Sequence, residues 1–193
     1  LGLVIIDEQH RFGVGQRQAL INKGDQPDIL AMTATPIPRT LALTVYGDMA
    51  VSEIHHLPAG RKPIISTWKT SSQMKEVYRQ MQEQLNQGFQ IYAVTPLITE
   101  SETLDLKNAE ELHEKLSHDF PNHKVVLLHG QMPGAQKDEI MTAFAAGEID
   151  ILVTTSVIEV GVDVANANMM VIYNADRFGL SQLHQLRGRI GRG

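Results

Sequence analysis

The apolar run Leu3-Val4-Ile5-Ile6 ends in two adjacent carboxylates, Asp7 and Glu8, followed by Gln9 and His10. Open α/β sheets place ligands at the C-terminal ends of strands, where these acids fall. Neighbouring acids there can divide labour: one holds Mg²⁺ through water and the other polarises an attacking water, as nucleotide hydrolysis requires. The same pair can instead do no more than cap a following helix. A second candidate is Met32-Thr33-Ala34-Thr35-Pro36-Ile37-Pro38-Arg39-Thr40. Its two hydroxyls flank a small residue and can hydrogen-bond the acidic pair across the sheet edge, while Pro36 and Pro38 fix the chain before a helix from about Thr40. A proline-stiffened turn with an N-cap uses the same residues.

The third candidate is the string from Gln182 to Gly193. Helical spacing predicts Gln185, Arg189 and Arg192 on one face, with Arg187 roughly opposite. Two guanidiniums on one face suit a triphosphate. Gly188, Gly191 and Gly193 are poor helix formers and ask for close backbone approach or a helix end. A flexible arginine-glycine tail for nucleic acid would lack the apolar Leu183, Leu186 and Ile190 found here. Between these motifs, Val153 to Val164 reads as a strand, a hydroxyl-rich turn and an apolar stretch containing Asp163. Asp163 can accept from a ribose hydroxyl, and Thr155 or Ser156 can donate to a backbone phosphate. A capped βα turn also accounts for this segment.

Other chemistries are excluded by what the sequence lacks. The eight histidines show no zinc spacing with carboxylates, and His55 and His56 are expected on opposite faces of a strand. Neither the G-x-S-x-G nucleophile elbow nor the phosphate loop G-x-x-x-x-G-K-[ST] is present. With no cysteine, disulfides and thiolate metal sites are also absent. The formal net charge of −5 does not advertise a nucleic-acid binder, so any such contact must be local, and the arginines of the last stretch are where phosphate is to be sought.

The elements that must position these residues follow from the hydrophobic pattern. Of the 193 residues 42% are apolar, enough to bury one or two cores. Short apolar runs alternate with amphipathic stretches, the mark of βα units in a parallel sheet. Strands are expected at Leu3–Ile6, Ile29–Met32, Ile64–Trp68, Gln90–Thr95, Lys124–Leu128, Ile149–Thr154 and Met169–Tyr173. Helices are expected where Met74, Val77, Tyr78, Met81 and Leu85 share a face, and over Ala135–Ala146 with Ile140, Met141 and Phe144 inward. The acid-rich stretch 100–119 reads as a solvated helix face after a loop. Residues 58–63, with two prolines and a glycine, read as a linker between 1–57, half a domain, and 64–193, one doubly wound domain. No apolar run spans a membrane and no signal peptide is visible, so a soluble, intracellular chain is expected. The opening without Met and the stop at Gly193 lead to the expectation of a piece of a longer protein.

The order of the motifs says more than any one of them. Asp7-Glu8-Gln9-His10, Thr33-Ala34-Thr35, the Thr154 to Asp163 segment and Gln185 to Arg192 resemble motifs II, III, V and VI of superfamily 2 helicases. The longer strings Asp7 to Gly13, Thr33 to Thr40, Leu57 to Arg61, Leu128 to Met132 and Ile158 to Val164 are similar to the RecG family of bacterial branched-DNA helicases. The transcription-repair coupling factors share several of these elements, but their acidic box usually reads Asp-Glu-Glu-His, and Gln9 with the Leu-Pro-x-Gly-Arg string favours RecG.

The resemblance implies RecA-like doubly wound parallel sheets: the C-terminal part of a first lobe and most of a second. It implies ATP with Mg²⁺ as cofactors, Asp7 ordering the metal through water and Glu8 activating the hydrolytic water. Gln9, His10, Gly161, Asp163 and Gln185 would bind or sense nucleotide, with Asp163 at the ribose, and Arg189 and Arg192 would reach the γ-phosphate. Thr33, Ala34 and Thr35 would couple nucleotide state to DNA. Arg11, Phe12, His129, Gly130, Thr155 and Ser156 would contact the DNA. The implied partner is branched or duplex DNA, with no membrane, in a bacterial cytoplasm close to the nucleoid, and a monomer is expected. Lacking the phosphate loop, this stretch alone is expected to be inactive. A coupling-factor-type duplex translocase and a non-catalytic nucleic-acid-binding remnant stand as alternatives.

Overall fold

The computed structural model describes residues 1–7, 14–33, 50, 52–54, 63–97, 102–155 and 164–191. The chain divides into two units, Leu1–His55 and His56–Gly193. In the first, strand β1 (Leu3–Ile6) pairs in parallel with β2 (Asp28–Ala31), and helix α1 (Val14–Ile21) lies between them in sequence. The alternation of β1 sends Val4 and Ile6 inward and leaves Leu3 and Ile5 exposed. Ile5 stands opposite Leu30, also exposed, so the pair of strands is covered on one face only.

The second unit holds a four-stranded parallel sheet in the order β4-β5-β3-β6, from β3 (Gln90–Thr95), β4 (Val125–Leu128), β5 (Ile151–Thr155) and β6 (Ala167–Ile172). Every residue of β3 and β5 is buried, as a parallel sheet covered on both faces requires. On one face lie α2 (Met74–Asn86) and α3 (Glu102–Asp119), whose Val77, Met81, Leu85, Leu112 and Leu116 pack with Phe120 against Ile91, Ala93, Ile151 and Val153. On the other lie α4 (Gly134–Ala145) and α5 (Leu180–Arg187), whose Met141, Phe144 and Leu186 pack against Tyr92, Val94, Leu128 and Leu152. The Tyr92 and Phe144 rings meet edge to face at 4.9 Å.

Two glycines set where the helices stop. Gly88 and Gly147 have φ of +80° and +79°, the left-handed region open to glycine. Each sits one residue past a helix C-cap, and the bonds Phe89 N–H to Gln84 C=O and Glu148 N–H to Ala143 C=O, both 3.0 Å, close the turn. At the base of β3 the buried Gln90 amide nitrogen donates to the Phe144 and Ile149 carbonyls, both at 2.6 Å, tying the end of α4 to the central strand.

One sequence expectation is corrected. The strand expected at Ile64–Trp68 is not formed: residues 63–70 have no ladder partner among the described residues, Ile65 and Trp68 are exposed, and Ile64 packs on the core. Adjacent Ile64 and Ile65 must face opposite ways when extended, so a one-sided core can take only one of them. The acid-rich stretch is a helix with a solvated face, Glu110, Glu111 and Glu114 being exposed, while Asp105, Ala109, Leu112 and Leu116 are buried. The helix expected from Thr40, the placement of His55 and His56, and residues 58–62 of the linker lie outside the described residues.

Replacing Gln90 with Leu keeps the volume but removes the side-chain donor from the Ile149 carbonyl and one donor from the Phe144 carbonyl, which the Gly147 N–H still reaches at 3.1 Å. The variant is expected to lose about 1–3 kcal/mol of stability, measured by urea unfolding.

Candidate functional site

Asp7 follows β1 directly and is exposed, and Thr33 follows β2 by two residues and is half-buried. Because β1 and β2 run parallel with Ile6 opposite Ala31, the two residues leave the same end of the pair. That end is the C-terminal one, so two of the sequence-selected residues are brought together on the ligand side of the sheet. A carboxylate oxygen is the hard donor that Mg²⁺ prefers. Among the described residues no group of three or more His, Asp or Glu gathers to hold a metal. Asp7 is one carboxylate that could help hold Mg²⁺ beside water and phosphate oxygens. Glu8, Gln9, His10, Arg11, Phe12, Ala34 and Thr35 lie outside the described residues.

In the second unit the C-terminal ends of all four strands present one row of polar side chains. Thr95 of β3 is in register with Thr155 of β5. Leu128 pairs with Thr154, which sets His129 one position beyond β4 beside Thr155. Val94 pairs with Ile172, which sets Tyr173 beside Thr95, and the Tyr173 N–H donates to the Val94 carbonyl at 2.9 Å. By strand alternation all four continue the face covered by α2 and α3. Tyr78 of α2 packs against that face.

The row carries an unusual deficit. The buried side-chain atoms that find no hydrogen-bond partner among the described residues are Thr95 Oγ1, His129 Nδ1, Tyr173 OH and Tyr78 OH, and all belong to this layer. Buried polar groups are nearly always paired, so such a concentration marks a place suited to water or a ligand group. Burial pushes the Tyr173 phenol far above its ordinary value, with further upward contributions from the Tyr78 hydroxyl and the Asp119 carboxylate. Tyr173 therefore stays protonated at any physiological pH and can only hydrogen-bond. The sequence points to His129 and Thr155 but not to Thr95, Tyr173 or Tyr78. The available signal was positional: Thr95 and Tyr173 are the polar last residues of expected strands.

Gly130 follows His129 and is exposed, and its carbonyl accepts from Lys137 Nζ at 2.6 Å. Ser156, Gly161 and Asp163 lie outside the described residues. The arginine string departs from its expectation. Helix α5 stops at Arg187 with Gly188 as its C-cap, and Gly191 has φ of +68°. Gln185 is on the helix and half-buried, whereas Arg189 lies in the turn beyond it, also half-buried. The two do not share a helical face, because glycine is too poor a helix former to carry the helix on. Arg187 is exposed and its guanidinium lies 3.2 Å from His184 Nδ1. Arg192 lies outside the described residues.

A parallel sheet wound on both faces, with its polar side chains gathered at the strand C-termini, defines the second unit as a RecA-like lobe of the helicase kind. The chain belongs to the helicase conserved C-terminal domain family, whose family model matches residues 72–193. It is 59% identical over its full length to the ATP-dependent DNA helicase RecG of Streptococcus pneumoniae serotype 4, covering 29% of that protein. It is 58% identical to the RecG of Staphylococcus epidermidis strain RP62A, again over all of this chain and 28% of that one. Among solved structures, RecG bound to a three-way DNA junction matches with a TM-score of 0.76 and 49% identity, over all of this chain and 24% of that one. The chain thus spans less than a third of the length of the curated relatives it matches. No helix among the described residues is long and apolar enough to cross a membrane.

Tyr173→Phe deletes a buried hydroxyl that makes no well-formed hydrogen bond among the described residues and is expected to change stability at pH 7 by less than about 1 kcal/mol. The raised phenol pKa adds a second expectation. The folded form resists ionisation, so its advantage is complete below the unfolded phenol value of about 10 and falls as pH rises above it. Urea unfolding between pH 9 and 11 should show the parent weakening with pH more steeply than Tyr173→Phe.

Proposed function

We propose that the protein containing this chain is an ATP-dependent DNA helicase and translocase acting on branched DNA, forks and Holliday junctions, in recombination and repair. The observation that carries this reading is identity of 56% or more to proteins named ATP-dependent DNA helicase RecG, sustained along the whole of this chain. Residues 1–57 are read as the C-terminal part of a first RecA-like lobe, 58–63 as the interlobe linker and 64–193 as the second lobe. The division of the chain at His55/His56 and the family match from residue 72 support that reading.

In this account Asp7 orients Mg²⁺ through water and Glu8 takes a proton from the attacking water. Bound Mg²⁺ supplies charge neutralisation on the phosphates of ATP. Arg189 and Arg192 offset the charge that develops on the γ-phosphate, and Gln185 assists them. Gln9, His10, Gly161 and Asp163 bind or sense nucleotide, with Asp163 at the ribose. Thr33, Ala34 and Thr35 couple that state to DNA, and Arg11, Phe12, His129, Gly130, Thr155 and Ser156 touch its backbone. Such contacts hold DNA without reading sequence, so binding is salt-dependent and sequence-independent. A bacterial cytoplasm, close to the nucleoid, is the compartment this activity requires. Without a phosphate loop this stretch alone is inactive.

The test is ATP hydrolysis by the full-length protein on a three-way fork and on linear duplex. Fork DNA is expected to stimulate more than linear duplex. Glu8→Gln and Arg192→Ala are each expected to lower the stimulated rate by about 10²-fold or more. Equal stimulation by linear duplex would favour a coupling-factor-type translocase. ATP hydrolysis by the isolated 193-residue chain, abolished by Glu8→Gln, would overturn the claim that this stretch is inactive.

A further inference from the structure

Strand β4 is an edge of the sheet, paired only with β5. The Lys124 carbonyl accepts from Asp150 and Ile151, so Lys124 and its alternates, Val126 and Leu128, direct their backbone groups toward β5. Val125 and Leu127 direct theirs outward. The Val125 carbonyl lies 3.2 Å from His113 Nε2 of α3, an outward contact that agrees with this assignment. The Val125 N–H and both backbone groups of Leu127 have no partner among the described residues.

This open edge forms the floor of a cleft of about 620 Å³ between α3 and α4. The two walls differ in chemistry. Glu110 and Glu114 of α3, both exposed, line one wall, with no Lys or Arg among the lining residues. Met132 and Ile140, both half-buried, line the other with Gln136. An extended chain added to β4 would turn successive side chains to opposite walls. One set would meet carboxylates and the other would meet Met132 and Ile140.

We propose that the β4 edge is a docking site for an extended segment of a protein partner whose residues alternate basic and apolar, held by strand addition to Val125 and Leu127. Main-chain bonds supply the affinity and the two walls select the side chains. Charge complementarity to Glu110 and Glu114 selects lysine or arginine, and an acidic segment is repelled. The feature also accounts for an edge that a soluble protein would otherwise need to blunt.

The test uses the full-length protein and two fluorescein-labelled synthetic peptides, one alternating lysine with isoleucine and one alternating glutamate with isoleucine, read by fluorescence anisotropy. The lysine peptide is expected to bind at least about tenfold tighter than the glutamate peptide. Leu127→Pro removes an outward N–H and leaves the Val126 bonds to β5 in place. It is expected to weaken the lysine peptide about tenfold or more. Glu110→Gln combined with Glu114→Gln should bring the two peptides together. Equal binding of both peptides by the parent, or unchanged binding in Leu127→Pro, overturns the proposal. If Leu127→Pro does not fold, hydrogen exchange on the parent decides. The lysine peptide must slow exchange in residues 124–128, and failure to do so overturns the proposal. Protection already complete without peptide would assign the edge to a segment of the same chain. Self-association lost in Leu127→Pro would assign it to a second copy.

Discussion

The second unit depends on the burial of β3. All six of its residues are inaccessible, which is possible only if helices cover both faces and strands flank both edges. A strand with no exposed face has no alternation to satisfy and reads as a near-continuous apolar run. That requirement explains why α2 and α3 lie on one side and α4 and α5 on the other, and why Gln90, polar at the foot of the strand, spends its amide on the Phe144 and Ile149 carbonyls. A buried amide at that point is tolerable because its nitrogen finds two carbonyl acceptors.

The same stacking creates the polar layer at the other end. Parallel strands in register finish together, so the residues that follow their apolar stretches line up across the sheet. Here those residues are His129, Thr155, Thr95 and Tyr173, and Tyr78 joins them from α2. Leaving several of their polar atoms without partners costs stability that an apolar layer would not. Stability given up at the ligand end of an α/β sheet is the usual sign of a functional demand. His129 and Thr155, the two residues of this row with a role under the helicase reading, are thus embedded in a layer that shares their chemistry.

The two ends of the chain show how local propensity limits a motif. The arginine string has a helical period on paper, yet Gly188 ends α5 before Arg189 is reached. Close backbone approach and a helix end were the two uses that glycine density allowed, and the helix end is the one observed. At the other end, β1 and β2 bring Asp7 and Thr33 to one edge, while their other face, with Leu3, Ile5 and Leu30, stays exposed.

Much of this was legible in the residues. Strand β3 has the bounds its apolar run predicts, β1 likewise, and the spacing of Val77, Met81 and Leu85 announces the buried face of α2, because these signals are local and depend on side-chain period alone. The order of the acidic pair, the threonine pair and the arginines also sufficed to name the family. What tertiary structure alone decided was register and partnership. No local pattern says that Thr95 stands beside Thr155, that Tyr173 joins them, or that β4 has a free edge, since each depends on which distant strand is the neighbour. For the same reason residues 64–68 read as a strand and are not one: a strand exists only where another strand completes its hydrogen bonds.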